Sequence, residues 1–187
     1  MFCEYEVLMR KLNSILTAVI LVLFIIHGFL GALNMIDIAV VITKHMARFM
    51  VVLIAVHTVL SGILTAKAIK AWKVTGAPYV KENTLFWARR ISGAAVMILI
   101  VFHVLAFMST TSDSFTLAYF GGFRLAANIL LVLSIAVHVI TNVKPMLIAF
   151  GIRSLKPRAG DILFFLSVLL VLFIIGFIVY YIRWNTI

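Results

Sequence analysis

Five stretches of this chain contain no Asp, Glu, Lys or Arg: residues 15–35, 49–66, 91–108, 125–143 and 162–181. Each is close to the roughly 20 apolar residues needed to cross about 30 Å of hydrocarbon. Backbone N–H and C=O groups find no water inside a bilayer, so a spanning segment must bond to itself as a helix or to neighbours in a closed barrel. Barrel strands are short and alternate apolar with polar residues, and these runs do not alternate. The pattern predicts an all-α integral membrane protein, a single five-helix transmembrane domain over residues 1–187. Composition agrees: 65% of residues are hydrophobic and 12% charged, against about 45–50% and 25% in soluble domains. A disordered chain would need the opposite balance. The first span follows Arg10 and Lys11, but no small-residue cleavage site follows it, so a retained helix is expected rather than a signal peptide. Cys3, the one cysteine, cannot form an intramolecular disulfide and reads as an incidental thiol.

The net charge of +10 would suggest nucleic acid in a soluble protein. Here it reports topology. Arg10 and Lys11 precede the first span. Lys67, Lys70, Lys73, Lys81, Arg89 and Arg90 lie between the second and third, and Lys144, Arg153, Lys156 and Arg158 between the fourth and fifth. The opposite side holds Lys44, Arg48, Arg124 and Arg183. Because cytoplasmic loops collect Lys and Arg, the N-terminus is expected in the cytoplasm and the C-terminus outside, in a cell inner or cytoplasmic membrane. The partners implied are lipid and membrane-borne molecules, with no nucleic acid.

Each of the first four spans carries one histidine: His27, His57, His103 and His138. A polar ionisable group inside a membrane is a functional hypothesis by default. The plainer reading makes each a hydrogen-bond donor between helices, which accounts poorly for four in four consecutive helices. A rise of 1.5 Å per residue from the nearest cytoplasmic base places His138 about 9 Å deep, His57 about 15 Å, His103 about 20 Å and His27 about 24 Å. The ranking gives an inner pair, His57 with His138, and an outer pair, His27 with His103. Facing imidazoles suit the two axial positions of a haem iron, and helix bundles commonly house such cofactors. Two pairs imply two haems b stacked across the membrane, the five helices enclosing both. Zinc generally takes three or four clustered ligands, often with Cys or carboxylate, and no span contains a carboxylate. Small residues near the histidines (Gly28, Gly31, Ser61, Gly62, Gly93, Ala94, Ala95, Ser134, Thr141) make room for a macrocycle, but they equally serve helix packing.

With these residues in view, the chain resembles the dihaem cytochrome b membrane-anchor subunit of the succinate:quinone oxidoreductase family, the succinate dehydrogenases and fumarate reductases. The resemblance rests on four axial-type histidines on separate helices, His27, His57, His103 and His138. It is supported by Phe86-Trp87 followed by Ser92-Gly93 and then His103. Asn13-Ser14, ahead of His27, is similar to an amide–hydroxyl pair that meets a haem propionate in the family. The resemblance implies two haems b, first histidine paired with third and second with fourth. It implies flavoprotein and iron–sulfur subunits on the cytoplasmic side and a quinone, menaquinone in particular, exchanging electrons with the outer haem. The dicarboxylate chemistry would lie on another chain. In one departure, Ala136 stands where some relatives carry an intramembrane glutamate.

Further candidates surround this core. Trp87, Arg89 and Lys144, together with Arg90, lie at the level of the inner pair and could meet propionates, since Arg and Lys bind carboxylates well. Positive-inside charge alone would also place the bases there. Asp37 and His45 mark a possible quinone or proton site on the outer side. Tyr180, Tyr181 and Trp184 read as an outer aromatic belt, and Asn128 as interhelical glue. Two other functions fit the same histidines. One is a haem b anchor of another oxidoreductase, of hydrogenase or formate dehydrogenase type. The other is a haem-free proton transporter with a histidine relay.

Overall fold

The structure is a computed structural model that describes residues 2–36, 42–76, 83–107, 119–152 and 159–186. Asp37, Lys81, Asp113, Arg153, Lys156 and Arg158 lie outside the described residues. Five helices follow one another: α1 (Phe2–Met35), α2 (Ile42–Thr75), α3 (Thr84–Phe107), α4 (Gly122–Ala149) and α5 (Ala159–Thr186). There is no strand among the described residues. All five helices are long and apolar enough to cross a membrane, so the chain is an all-helical, multi-pass membrane protein.

Two helices outrun the apolar spans. At 34 residues each, α1 and α2 are about 50 Å long, more than the hydrocarbon layer needs. The bilayer limits the apolar length, not the helical length, and the polar ends remain helical. On the α1 extension Arg10 pairs with Glu6 at 2.5 Å, one turn away. Lys67 of α2 lies 5.0 Å from the ring centre of Tyr5, tying the two extensions together.

Local chemistry sets the other ends. The Asn83 side chain accepts from the Phe86 N–H at 3.0 Å, an N-cap that satisfies one of the free donors of the first turn. Gly76, at φ 66°, closes α2 in the left-handed conformation that glycine adopts without strain. Pro145 lies beyond the apolar run of residues 125–143, and α4 runs through it to Ala149. A proline inside a helix removes one N–H and leaves the carbonyl four residues earlier without its helical donor. Here that carbonyl belongs to Thr141.

Helix α3 packs on α4, α1 on α2 and α4 on α5, with lighter contacts of α1 to α4 and α5. The first four helices thus form a ring in which α1 stands diagonally from α3 and α2 from α4, and α5 lies outside it. The ring is hollow. The densest core sits instead between α4 and α5, around Phe120, Val132, Leu170, Phe177 and Tyr180. On α5 the buried side recurs as Leu166, Leu170, Phe177 and Tyr180, the three-and-four spacing of one helix face. Tyr180 is therefore corrected from lipid-facing belt to core: it is 2% exposed and stands edge-on to Phe120 at 5.0 Å. Tyr181 and Trp184 pack against the same cluster. The opposite faces carry exposed Phe29, Val59, Ile98 and Phe164, apolar surface that suits hydrocarbon rather than water.

Candidate functional site

The four intramembrane histidines lie on four helices of the ring, and the two diagonals bring them together in pairs. The His27 and His103 ring centres are 6.2 Å apart. Those of His57 and His138 are 6.4 Å apart. These are the pairs obtained from depth. Two imidazoles bound to opposite sides of one metal ion, at about 2 Å per bond, put their ring centres about 6 Å apart. No group of three or more His, Cys, Asp or Glu capable of holding a metal occurs among the described residues. The donor set is two separate facing pairs.

The ring nitrogens divide their work. His103 Nδ1 lies 2.7 Å from Asn128 Oδ1. The Asn128 amide donates through Nδ2 to the Arg124 carbonyl at 2.7 Å, which fixes Oδ1 as the acceptor and so gives His103 the Nδ1 proton. His138 Nδ1 lies 3.2 Å from the carbonyl of Arg89, an acceptor only. It also lies 3.2 Å from Ser92 Oγ, and that hydroxyl donates to the same carbonyl. Thr17 Oγ1 donates to the Asn13 carbonyl at 2.8 Å, leaving its oxygen to accept from His57 Nδ1 at 3.4 Å. Three of the four rings are thus held with the proton on Nδ1 and the lone pair on Nε2. A metal-ligating histidine characteristically donates its other ring N–H to a protein acceptor. His27 differs: its Nδ1 is buried with no partner among the described residues.

All four rings line one cavity of about 1690 Å³, larger than the roughly 300–1,000 Å³ of an ordinary ligand pocket. Its walls are mainly apolar. Arg10, Lys11, Asn13, Ser14, Arg89 and Arg90 line one end, and Lys44, His45 and Arg48 the other. Among the described residues no acid lines the cavity, so the charge of this lining favours an anionic guest. A Cβ added at Gly31 or Gly62 would meet nothing within 4 Å, and both glycines border the open space. Gly28 is different. A Cβ there would come within 2.2 Å of the Phe173 ring, so this glycine admits α5 rather than a guest. At Gly93 the added atom would sit 3.1 Å from the His138 ring.

Asn13 accepts from Ser61 Oγ at 3.3 Å, joining α1 to α2 at the basic mouth. Ser14 donates to the Arg10 carbonyl at 3.0 Å. Arg89 Nε donates to the Thr141 carbonyl at 2.8 Å. Arg90 lies 3.6 Å above the Phe86 ring and donates to Thr65 Oγ1 at 3.3 Å. Trp87 and Lys144 are not among the residues lining the cavity. Trp87 stands edge-on to Phe86, and Lys144 is exposed. His45 is exposed at the opposite mouth, with Lys44 and Arg48. Of the two hydroxyls that hold rings, Thr17 was not singled out from the sequence, and Ser92 was named only in the pattern ahead of His103, not as a partner of His138. Nor was Asn128 singled out as a histidine partner, although an amide inside a span was a signal.

The fold and the site define a hollow membrane bundle with two stacked histidine pairs. No protein-family model matches the chain, and neither curated proteins nor solved structures give a match.

Proposed function

We propose that this chain is a dihaem cytochrome b membrane anchor of the succinate dehydrogenase or fumarate reductase type. It carries electrons between a quinone, menaquinone in particular, and flavoprotein and iron–sulfur subunits on the cytoplasmic face. The observation that carries the reading is the pair of facing histidine couples, 6.2 and 6.4 Å between ring centres, stacked in one mainly apolar cavity. A proton relay fits less well. It needs rings free to exchange protons at both nitrogens, and three of these have Nδ1 committed to protein acceptors.

Each bound haem b would take up and release one electron at its iron. His57 and His138 would hold the inner one, His27 and His103 the outer one. Thr17, Asn128, Ser92 and the Arg89 carbonyl keep the rings oriented with Nε2 available. The apolar walls exclude water. At the inner mouth Lys11, Arg90, Asn13 and Ser14 suit carboxylates, which Arg and Lys neutralise well. His45 at the outer mouth, with Asp37 nearby in sequence, is the place for quinol protons. A double substitution of Asp37 and His45 is expected to slow quinol oxidation by the assembled complex, and unchanged rates would remove both from that role. In this reading the N-terminus is cytoplasmic and the C-terminus outside.

A pyridine haemochrome assay on protein purified after haem-replete expression tests the proposal. Two haems b per chain are expected, and a colourless protein would overturn the reading.

A further inference from the structure

Helix α4 contains a proline about two turns beyond its histidine. Pro145 lacks the N–H that would bond to the Thr141 carbonyl, and α4 nevertheless continues to Ala149. The donor at the Thr141 carbonyl comes from another helix: Arg89 Nε, at 2.8 Å. The backbone of the same Arg89 touches the inner histidine, its carbonyl lying 3.2 Å from His138 Nδ1. Ser92 Oγ lies 3.2 Å from that nitrogen, one turn along α3. Gly93 lets α3 come close enough to do this, since a Cβ there would stand 3.1 Å from the ring.

We infer that Arg89 is a positioning residue for His138, acting from a carbonyl that Pro145 leaves open. The Arg89 side chain reaches across to α4 and fixes the register of the two helices. At that register the Arg89 carbonyl and the Ser92 hydroxyl meet His138 Nδ1. The guanidinium-to-carbonyl bond is charge-assisted, and such bonds are stronger than neutral ones. In a normal helix the residue-145 N–H would compete for the carbonyl, and α4 would lack the local distortion a proline brings. The sequence reading offered Arg89 as a propionate contact; the geometry gives its Nε a different task.

The consequence for ligation rests on the haem reading, so the test has two arms. In the first, holoprotein is made as wild type, Arg89→Gln, Pro145→Ala and the double variant. Haem retention and the ferric EPR signal of each haem are measured. Arg89→Gln is expected to weaken retention of the inner haem roughly 10–100-fold, as loss of an outer-sphere partner does, and to shift its signal alone. Pro145→Ala, which restores a helical donor and should fold at least as well, is expected to shift the same signal in the same direction by less, because a carbonyl can accept two bonds. The double variant should match Arg89→Gln, the non-additivity of a shared interaction. A general loss of packing would move both haem signals.

In the second arm, nitrogen NMR of the haem-free full chain reads the His138 Nδ1–H resonance, expected to move in both single variants. If the wild type binds no haem, the haem proposal fails and this resonance still decides the role of Arg89. An unshifted inner signal and an unshifted His138 resonance in Arg89→Gln would overturn the inference. So would a Pro145→Ala variant identical to wild type, or fully additive effects in the double variant.

Discussion

Asn128 shows how much a single amide decides at the level of the residue. Buried to 1% exposure, it donates to the Arg124 carbonyl and accepts from His103, so one hydrogen bond sets the direction of the next. An apolar replacement of similar size would strand the His103 N–H in a medium that cannot solvate it, at about 1–3 kcal/mol. On the proposed dihaem reading, Asn128→Leu is expected to weaken retention of the haem held by His27 and His103 by roughly 10–100-fold and to spare the other, as read from haem per chain and dithionite-reduced spectra. Substituting the histidines themselves should sort by pair. If the chain holds two haems as proposed, His27→Ala and His103→Ala should each remove one with the same spectral loss, and His57→Ala and His138→Ala should both remove the other. Four different spectra would mean that the rings do not act in couples. From the sequence the histidines were conspicuous because a polar ring in an apolar run is rare. The roles of Thr17 and Ser92 as their partners were not, because hydroxyls are common in membrane helices and bond their own backbone as readily as a neighbour.

At the level of the element, glycines that look alike in sequence have different work. Gly28 and Gly31 lie three residues apart on α1, and both fit a reading as room for a macrocycle. Gly28 in fact receives the tip of Phe173, whose ring also stands edge-on to Phe24 at 5.7 Å. Gly31 borders open cavity. Gly28→Ala should therefore cost about 1–3 kcal/mol through overpacking, while Gly31→Ala should change stability little. Adding Phe173→Leu should restore most of the Gly28→Ala loss. Thermal unfolding in detergent checks the three variants, and equal destabilisation by the two glycine substitutions would contradict the assignment. The buried stripe on α5 belongs to the same scale. Leu166, Leu170, Phe177 and Tyr180 share one helix face by spacing, but in a span apolar on every side nothing in the sequence distinguishes the face toward protein from the face toward lipid.

At the level of the whole molecule, five crossings place the termini on opposite sides. Cytoplasmic reporters fused at the N-terminus should be active and those at the C-terminus inactive, with the reverse for reporters that work only outside. The opposite pattern would reverse the inner and outer pairs. The hollow ring is the other property of this scale. Helices α1 to α4, with Phe173 and Phe177 of α5, line a cavity of about 1690 Å³, and what solid core exists is displaced toward α5.

The number of helices, the apolar span within each and the four histidines were determined by the sequence alone. Hydrocarbon imposes a length and a polarity on every spanning segment, and exceptions to that polarity stand out. Depth ranking added the order of the histidines along the membrane normal, because helical rise is fixed. Rotation about each helix axis was beyond it. Lipid is as apolar as the side chains facing it, so hydropathy carries no signal of direction. Only the tertiary structure could show that Tyr180 faces inward, that Trp87 and Lys144 stand outside the cavity, that Gly28 serves α5, and that the carbonyl opened by Pro145 is taken by Arg89 from the neighbouring helix.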